Sequence, residues 1–195
     1  IGASDTICRY YLVPYLNKFH KQFPHVHIKV TNQTSIACAS LLEHGQVDFI
    51  VVNYPNSALS STHIPRVINE FHDVFVANRQ YFPLDGREVS LASLQKYPIL
   101  MLDRKSTTSE FLHAMFQRSH LDLVPEIELS SNDLLIDLAR IGLGIAFVPD
   151  FCIPTDDKDL FVVKLKEELP KRQMVVAYNE RMPISQTAKQ FMSML

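Results

Sequence analysis

The chain carries almost no excess of either charge: across 195 residues, 19 Lys and Arg stand against 21 Asp and Glu, a formal net charge of −2. A surface so balanced is not drawn to nucleic acid or anionic lipid, which excludes a basic DNA-gripping module for these residues. No apolar run approaches the roughly 18 residues a membrane span needs, and neither a basic n-region nor a secretory h-region opens the chain. No membrane contact is expected. Cysteine is scarce: Cys8, Cys38 and Cys152 are odd in number and lack CxxC spacing, which argues against a disulfide framework and for a reducing, cytoplasmic setting. An initiator Met is also missing, and Ile1-Gly2-Ala3 reads as the end of a strand, so the expectation is a piece of something longer.

The common catalytic signatures are absent as well. There is no Gly-x-Ser-x-Gly elbow, P-loop or His-Glu-x-x-His, which removes the usual routes to acyl transfer, nucleotide hydrolysis and zinc hydrolysis. Gly142-x-Gly144 is not a dinucleotide loop, because position 147 is Phe and the motif follows a helix and precedes a strand, the reverse of the order phosphate binding needs. It reads as a helix C-cap and tight turn. The eight histidines form no ligand set; His25 and His27 share a strand face without a third partner. Asp156, Asp157 and Asp159 resemble the start of a calcium loop, but Lys158 and Phe161 stand where a ligand and a Gly are needed, leaving a solvated loop. No enzyme, metal or cofactor is expected.

What is present is the composition of a globular protein, 47% hydrophobic and 21% charged, able to bury roughly 70% of its unfolded surface. Ser4-Asp5-Thr6 can cap a helix reaching about Phe23 with a wide apolar surface (Ile7, Tyr11, Leu12, Tyr15, Leu16, Phe19), which Pro14 costs a hydrogen bond. The alternating Val26, Ile28, Val30 predicts a strand. Thr34 and Ser35 cap a second helix ending at Gly45, and the continuous apolar run from Val47 to Val52 predicts a strand covered on both faces. Extended stretches follow at 64–71 and 74–77. A second series then alternates strand and helix: 99–102, a helix capped within Ser106–Ser109, 127–129, a helix opened by Ser131–Asp133 and ended by Gly142, and 145–148. Strands at 160–165 and 174–178 precede a terminal helix from about Ser185.

Two such series predict an α/β chain of two lobes, each a mostly parallel sheet flanked by helices. Lobe I takes residues 1–75 and 178–195, lobe II takes 76–177, and two strands cross between them as a hinge that leaves a cleft. Ligands of open α/β sheets bind beyond the carboxyl ends of the strands, where helix N-termini offer free N–H groups and a partial positive charge. Hydroxyl-rich clusters sit at four such junctions: Ser4-Asp5-Thr6, Thr34-Ser35, Ser106-Thr107-Thr108-Ser109 and Ser130-Ser131-Asn132. Capping is one use for them; holding the carboxylate of a polar metabolite is compatible with it. Arg104 and Lys105 beside the third cluster add positive charge or remain solvated. Cys8 and Cys38 fall in the first turns of two helices, where the dipole can lower a thiol pKa, the setting of a redox sensor; buried small hydrophobes are the alternative.

Four stretches at matching spacings, Ile1-Gly2-Ala3-Ser4-Asp5-Thr6, Tyr11–Phe19 with Phe23-Pro24, Leu42–Phe49, and Gly142-Leu143-Gly144-Ile145-Ala146-Phe147-Val148-Pro149, resemble the effector-binding domain of LysR-type transcriptional regulators over essentially the whole chain. The resemblance implies a two-lobed fold similar to type II periplasmic binding proteins with a small-molecule inducer, polar or anionic, between the lobes. It implies DNA contact only through an N-terminal winged helix-turn-helix and linker helix that these residues do not include. It also implies homodimers or homotetramers in which the first helix lies against the second-lobe helix of a partner, here the surfaces of Ile7–Phe23 and Phe111–Phe116. Carried over, the ligand-binding residues are Ser4, Asp5, Thr6, Thr34, Ser35, Ser106, Thr107, Thr108, Ser131, Val148 and Pro149. Where the family often has a Gly-containing turn, this chain reads Asp103-Arg104-Lys105. A solute-binding protein of a transporter is the alternative on the same fold.

Overall fold

The computed structural model describes residues 1–195. The chain forms two compact units, one made of Ile1–Glu70 with Arg172–Leu195 and the other of Phe71–Lys171.

Unit 1 opens with β1 (Gly2–Ala3). Ser4 then caps α1 (Asp5–Ile7), its hydroxyl accepting from the N–H of Ile7 at 3.2 Å. The helix passes through a π-helical turn at Cys8–Leu12 into α2 (Val13–Gln22). Pro14 explains that turn. Its nitrogen has no hydrogen to donate, and just before it the N–H of Val13 reaches back five residues to the carbonyl of Cys8. The lost hydrogen bond is thus absorbed as a wider turn. The strand expected at 26–30 forms only as β2 (Thr31–Asn32), because its partner β1 supplies just two residues, Gly2 opposite Thr31 and Ala3 opposite Asn32. Thr34 caps α3 (Ser35–Glu43), which ends at Gly45 with φ +64°; Gln46 N–H closes on the carbonyl of Leu41 at 2.9 Å.

The buried run enters the sheet later than expected, as β3 (Ile50–Tyr54): Ile50, Val51 and Val52 are fully buried, while Val47 and Phe49, also buried, precede the strand. With β4 (His63–Phe71) and β12 (Arg172–Asn179) the sheet runs β2-β1-β3-β12-β4. α7 (Gln186–Met192) covers this unit through Phe191, whose ring lies 5.0 Å from that of Phe19 and 5.6 Å from that of Phe49.

Unit 2 begins with β5 (Asp73–Asn78), then β6 (Glu88–Val89) and α4 (Leu91–Leu94). The alternating series follows as expected: β7 (Ile99–Leu102), α5 (Thr107–Arg118), β8 (Ile127–Leu129), α6 (Asn132–Arg140) and β9 (Ile145–Pro149). After a 3-10 turn at Asp150–Cys152 come β10 (Leu160–Val162) and β11 (Lys164–Leu165). The single strand expected at 160–165 is therefore two: β10 pairs antiparallel with β5, and β11 pairs parallel with β6 in a separate ribbon. The main sheet runs β10-β5-β9-β7-β8 over a core in which the tilted rings of Phe75 and Phe147 lie 4.7 Å apart, with Leu112 and Phe116 of α5 packed on it. Gly142 ends α6 with φ +81°, and a Cβ there would lie 2.4 Å from the ring of Tyr81. A Cβ on Gly144 would meet the carbonyl oxygen of Pro98 at 2.6 Å. Both glycines of the motif are thus structural.

Each sheet has the expected parallel core, with antiparallel strands added on one side. Three strands run parallel in each, β2-β1-β3 and β8-β7-β9, but β12 joins β3 antiparallel and β5 joins β9 antiparallel. β5 and β12 each belong whole to one unit, so the boundaries expected at 75/76 and 177/178 lie inside them; the chain passes from unit to unit at 70/71, before the last residue of β4, and at 171/172.

Candidate functional site

In each unit the parallel strands end at one edge of the sheet, and helices start there. β1 leads through Ser4 into α1, β2 through Thr34 into α3, β7 through Ser106 into α5, and β8 through Ser131 into α6. All four hydroxyls cap: they accept from Ile7, Ala37, Ser109 and Leu134 N–H at 3.2, 3.2, 3.1 and 3.3 Å. What each cluster can still offer a ligand is the second lone pair of the hydroxyl, the other first-turn N–H groups, and the positive end of the helix dipole.

Within unit 1, Asn32 at the end of β2, a residue the sequence pattern did not single out, ties that strand to the start of the first helix. Its amide donates to Asp5 at 3.4 Å, and its oxygen accepts from the Cys8 thiol at 3.5 Å. Asp5 is exposed, whereas Ser4, Thr6 and Thr34 are half-buried. Ser35 is buried and committed to the fold: its hydroxyl accepts from Asn53 N–H at 3.1 Å and its carbonyl from Asn56 Nδ2 at 2.7 Å. Asn53 is the second residue missed. Near the carboxyl end of β3, its side-chain oxygen is buried and has no hydrogen-bond partner, an acceptor that burial leaves unpaid unless a donor reaches it.

In unit 2, Ser106 is half-buried while Thr107 and Thr108 are only 4% and 3% exposed. The turn before them is closed by Asp103 instead of a glycine. Its carboxylate accepts from Lys105 N–H at 3.0 Å and its carbonyl from the Ser106 hydroxyl at 3.1 Å, an Asx turn that does for this loop what a positive φ does elsewhere. Arg104 and Lys105 are exposed. Val148 and Pro149 end β9 at the same edge, both buried; Val148 is opposite Val74 in the ladder and fully covered.

The cysteines depart from the low-pKa expectation. Burial pushes the Cys8 thiol up to about 11 and Cys38 to about 12, and raises Cys152 as well, with neighbouring acidic groups adding to the effect. Desolvation outweighs any help from a helix N-terminus. The acidic loop also differs from a solvated one: Asp157 receives Arg140 Nε at 2.9 Å and the N–H groups of Asp159 and Leu160 at 3.0 and 3.2 Å. No group of His, Cys, Asp and Glu side chains is arranged to hold a metal ion. A cavity of about 330 Å³ in unit 1 lies at the other edge of its sheet, beside Lys29, Phe49 and Phe191, away from the hydroxyl clusters.

Known proteins resolve the family. The family model described as "LysR substrate binding domain" matches residues 1–195. The chain is 23% identical over 164 residues to the HTH-type transcriptional regulator CysB of Burkholderia cenocepacia, covering 84% of this chain and 52% of the relative. With the transcriptional activator CmpR of Synechocystis it shares 22% over 198 residues, covering 99% and 64%; the chain thus spans about half to two thirds of these relatives. The CcmR regulatory domain of Synechocystis, solved in complex with 2-PG, superposes with a TM-score of 0.87 at 18% identity, covering 99% of this chain and 95% of that one. The effector-binding domain of QuiR, solved with shikimate, gives 0.83 at 15% identity, covering 98% and 91%. The fold is shared with these two, and, with the model matched from end to end, the chain belongs to the LysR substrate-binding domain family of transcriptional regulators.

Proposed function

We propose that this domain senses a small polar or anionic inducer with the hydroxyl-lined strand ends of its two units, and passes the signal to an N-terminal DNA-binding domain. The observation that carries the proposal is the repeated geometry: in both units, capped helices start side by side where parallel strands end, the arrangement that holds anions in open α/β sheets. Ser4, Asp5, Thr6, Thr34, Ser35, Ser106, Thr107, Thr108, Ser131, Val148 and Pro149 form or support these ends. The unpartnered oxygen of Asn53 adds an acceptor, which favours an inducer bearing a hydroxyl or amine beside its acid group. Solved neighbours in complex with 2-PG and with shikimate support a small-molecule inducer. The inducer acts by binding one state of the regulator better than another, which limits its effect to that difference in affinity.

The regulator works in the cytoplasm as a dimer or tetramer, in which α1–α2 of one copy packs against α5 of another; exposed Val13 on α2 is a candidate contact. No helix is long and apolar enough to cross a membrane. The family match favours this reading over a transporter's solute receptor, and no catalytic constellation supports turnover.

A thermal-shift screen of small hydroxy acids, amino acids and aromatic acids tests the proposal. A ligand at 100 times its Kd adds about 2.7 kcal/mol, and each kcal/mol moves Tm by roughly 2–4 °C at this size. Thr6→Ala and Thr107→Ala should each shrink the shift of any hit. Normal shifts in both variants would place the inducer elsewhere.

A further inference from the structure

In unit 1 the ends of the three parallel strands carry one charged side chain, and it is acidic. The residues that close β1, β2 and β3 are hydroxyls and amides apart from Tyr54 and Asp5. Asp5 is exposed, so its carboxylate reaches solvent and any ligand held at these ends. Arg172, which opens β12 at the same edge, is 1% exposed and out of reach.

An acid at the first position of a helix is favourable wherever it points, but this one is aimed. Asn32 at the end of β2 donates to Asp5 Oδ1 at 3.4 Å. The Cys8 thiol donates in turn to Asn32 Oδ1 at 3.5 Å, which fixes the end of that amide that faces the carboxylate. The relay leans Asp5 toward β2, whose chain reaches the Thr34 cap two residues later, and leaves Oδ2 for a further donor. Arg9, one turn along the helix, turns to the Tyr10 ring instead, its guanidinium 5.6 Å from the centroid.

A bound acid has to answer to that charge. A carboxylate held by the hydroxyls and N–H groups beside Thr34 meets a like charge at Asp5, a repulsion that only a positive group on the ligand cancels. A hydroxyl beside the acid would hydrogen-bond to Asp5 and leave the repulsion in place; an ammonium does both.

We propose that Asp5 selects the inducer by charge, and that the inducer is a zwitterion of the amino-acid class. Its ammonium donates to the Asp5 carboxylate, and its own carboxylate accepts from the hydroxyl and N–H groups of the neighbouring strand end. The assignment rests on the inducer site proposed above and narrows its ligand from small polar acids to amino acids.

The test pairs each proteinogenic L-amino acid with the 2-hydroxy acid of the same side chain, screened by thermal shift of the 195-residue domain, with calorimetric titration of every hit. The expected result is an amino acid whose hydroxy counterpart binds about tenfold or more weakly, the scale of a charge-assisted bond. Asp5→Asn keeps an acceptor for Asn32 but removes the charge, so it should erase that preference, whereas Asp5→Glu should retain it. A role confined to helix stability would move Tm and leave the ratio of the two affinities unchanged. The proposal is overturned by hydroxy acids that bind as well as their amino counterparts, by a preference that survives Asp5→Asn, or by a panel with no amino-acid hit. The inducer site stands or falls separately, on whether Thr6→Ala and Thr107→Ala weaken whatever ligand the wider screen finds.

Discussion

Arg140, in the last turn of α6, holds Asp157 across a gap of 17 residues, Nε to Oδ2 at 2.9 Å, and also pairs with Asp137 on its own helix. The carboxylate of Asp157 is 10% exposed. Burial alone would raise its pKa, but the Arg140 hydrogen bond and the N–H groups of Asp159 and Leu160 outweigh that and hold it below the usual carboxylate range. The charged form therefore stabilises the fold at pH values above the unfolded pKa near 4, and that contribution is lost as pH falls through the depressed folded value. Asp157→Asn should cost about 1–2 kcal/mol at pH 7, and the deficit should begin to narrow below about pH 4 and vanish once pH is under the depressed folded value. Urea titrations of both proteins across this range check it; a deficit that persists in acid would assign the effect to packing.

Gly144→Ala should destabilise unit 2 more than Gly142→Ala, despite the positive φ at Gly142. The new methyl group at 144 meets the Pro98 backbone carbonyl, which also accepts from Ile145 N–H at 2.8 Å and cannot retreat without breaking β9 from its neighbour. At 142 the obstacle is the Tyr81 ring, on a side chain 59% exposed and able to swing aside. About 1–3 kcal/mol is expected at 144, against roughly 1–2 kcal/mol of backbone strain at 142. Chemical denaturation of the two variants decides the order.

Removing the ring of Phe191 should release α7. The side chain is 3% exposed and meets Phe19 and Phe49, so Phe191→Ala should cost about 3–5 kcal/mol. Loss of protection in 186–192, read by hydrogen exchange, should accompany the fall in Tm.

Thiol chemistry should be slow. With its pKa near 11, Cys8 in the folded chain at pH 8 holds about a hundredfold less thiolate than a free cysteine of pKa near 8.5. Iodoacetamide labelling of native protein should lag that of urea-unfolded protein by at least that order. Fast labelling of native Cys8 would restore the redox-sensor reading.

Much of this was legible beforehand where a local rule decides it. The caps at Ser4, Thr34, Ser106 and Ser131, the stop at Gly45 and the buried strand at 145–148 all follow from residues within one turn of the feature. What was not legible depends on partners distant in the chain. Val26 to Val30 alternate properly, yet the length of β2 is set by β1, some thirty residues earlier. Asp157 looks solvated until Arg140 is brought to it. Asn32 and Asn53 give no signal as single polar residues at strand ends, and only the fold shows the first bridging Asp5 and Cys8 and the second buried with an idle oxygen.

The two passages of the chain, at 70/71 and 171/172, give the units different histories during synthesis. Unit 2 is contiguous, so all of its strands exist once residue 171 has left the ribosome. Unit 1 begins first and finishes last: until β12 arrives, β3 has no neighbour on that side and β4 has nothing to join. Domains generally fold as they emerge, at roughly 5–20 residues per second. Here the later-made unit completes itself first, while the earlier one waits several seconds with the bare edge of β3 open to any strand that reaches it.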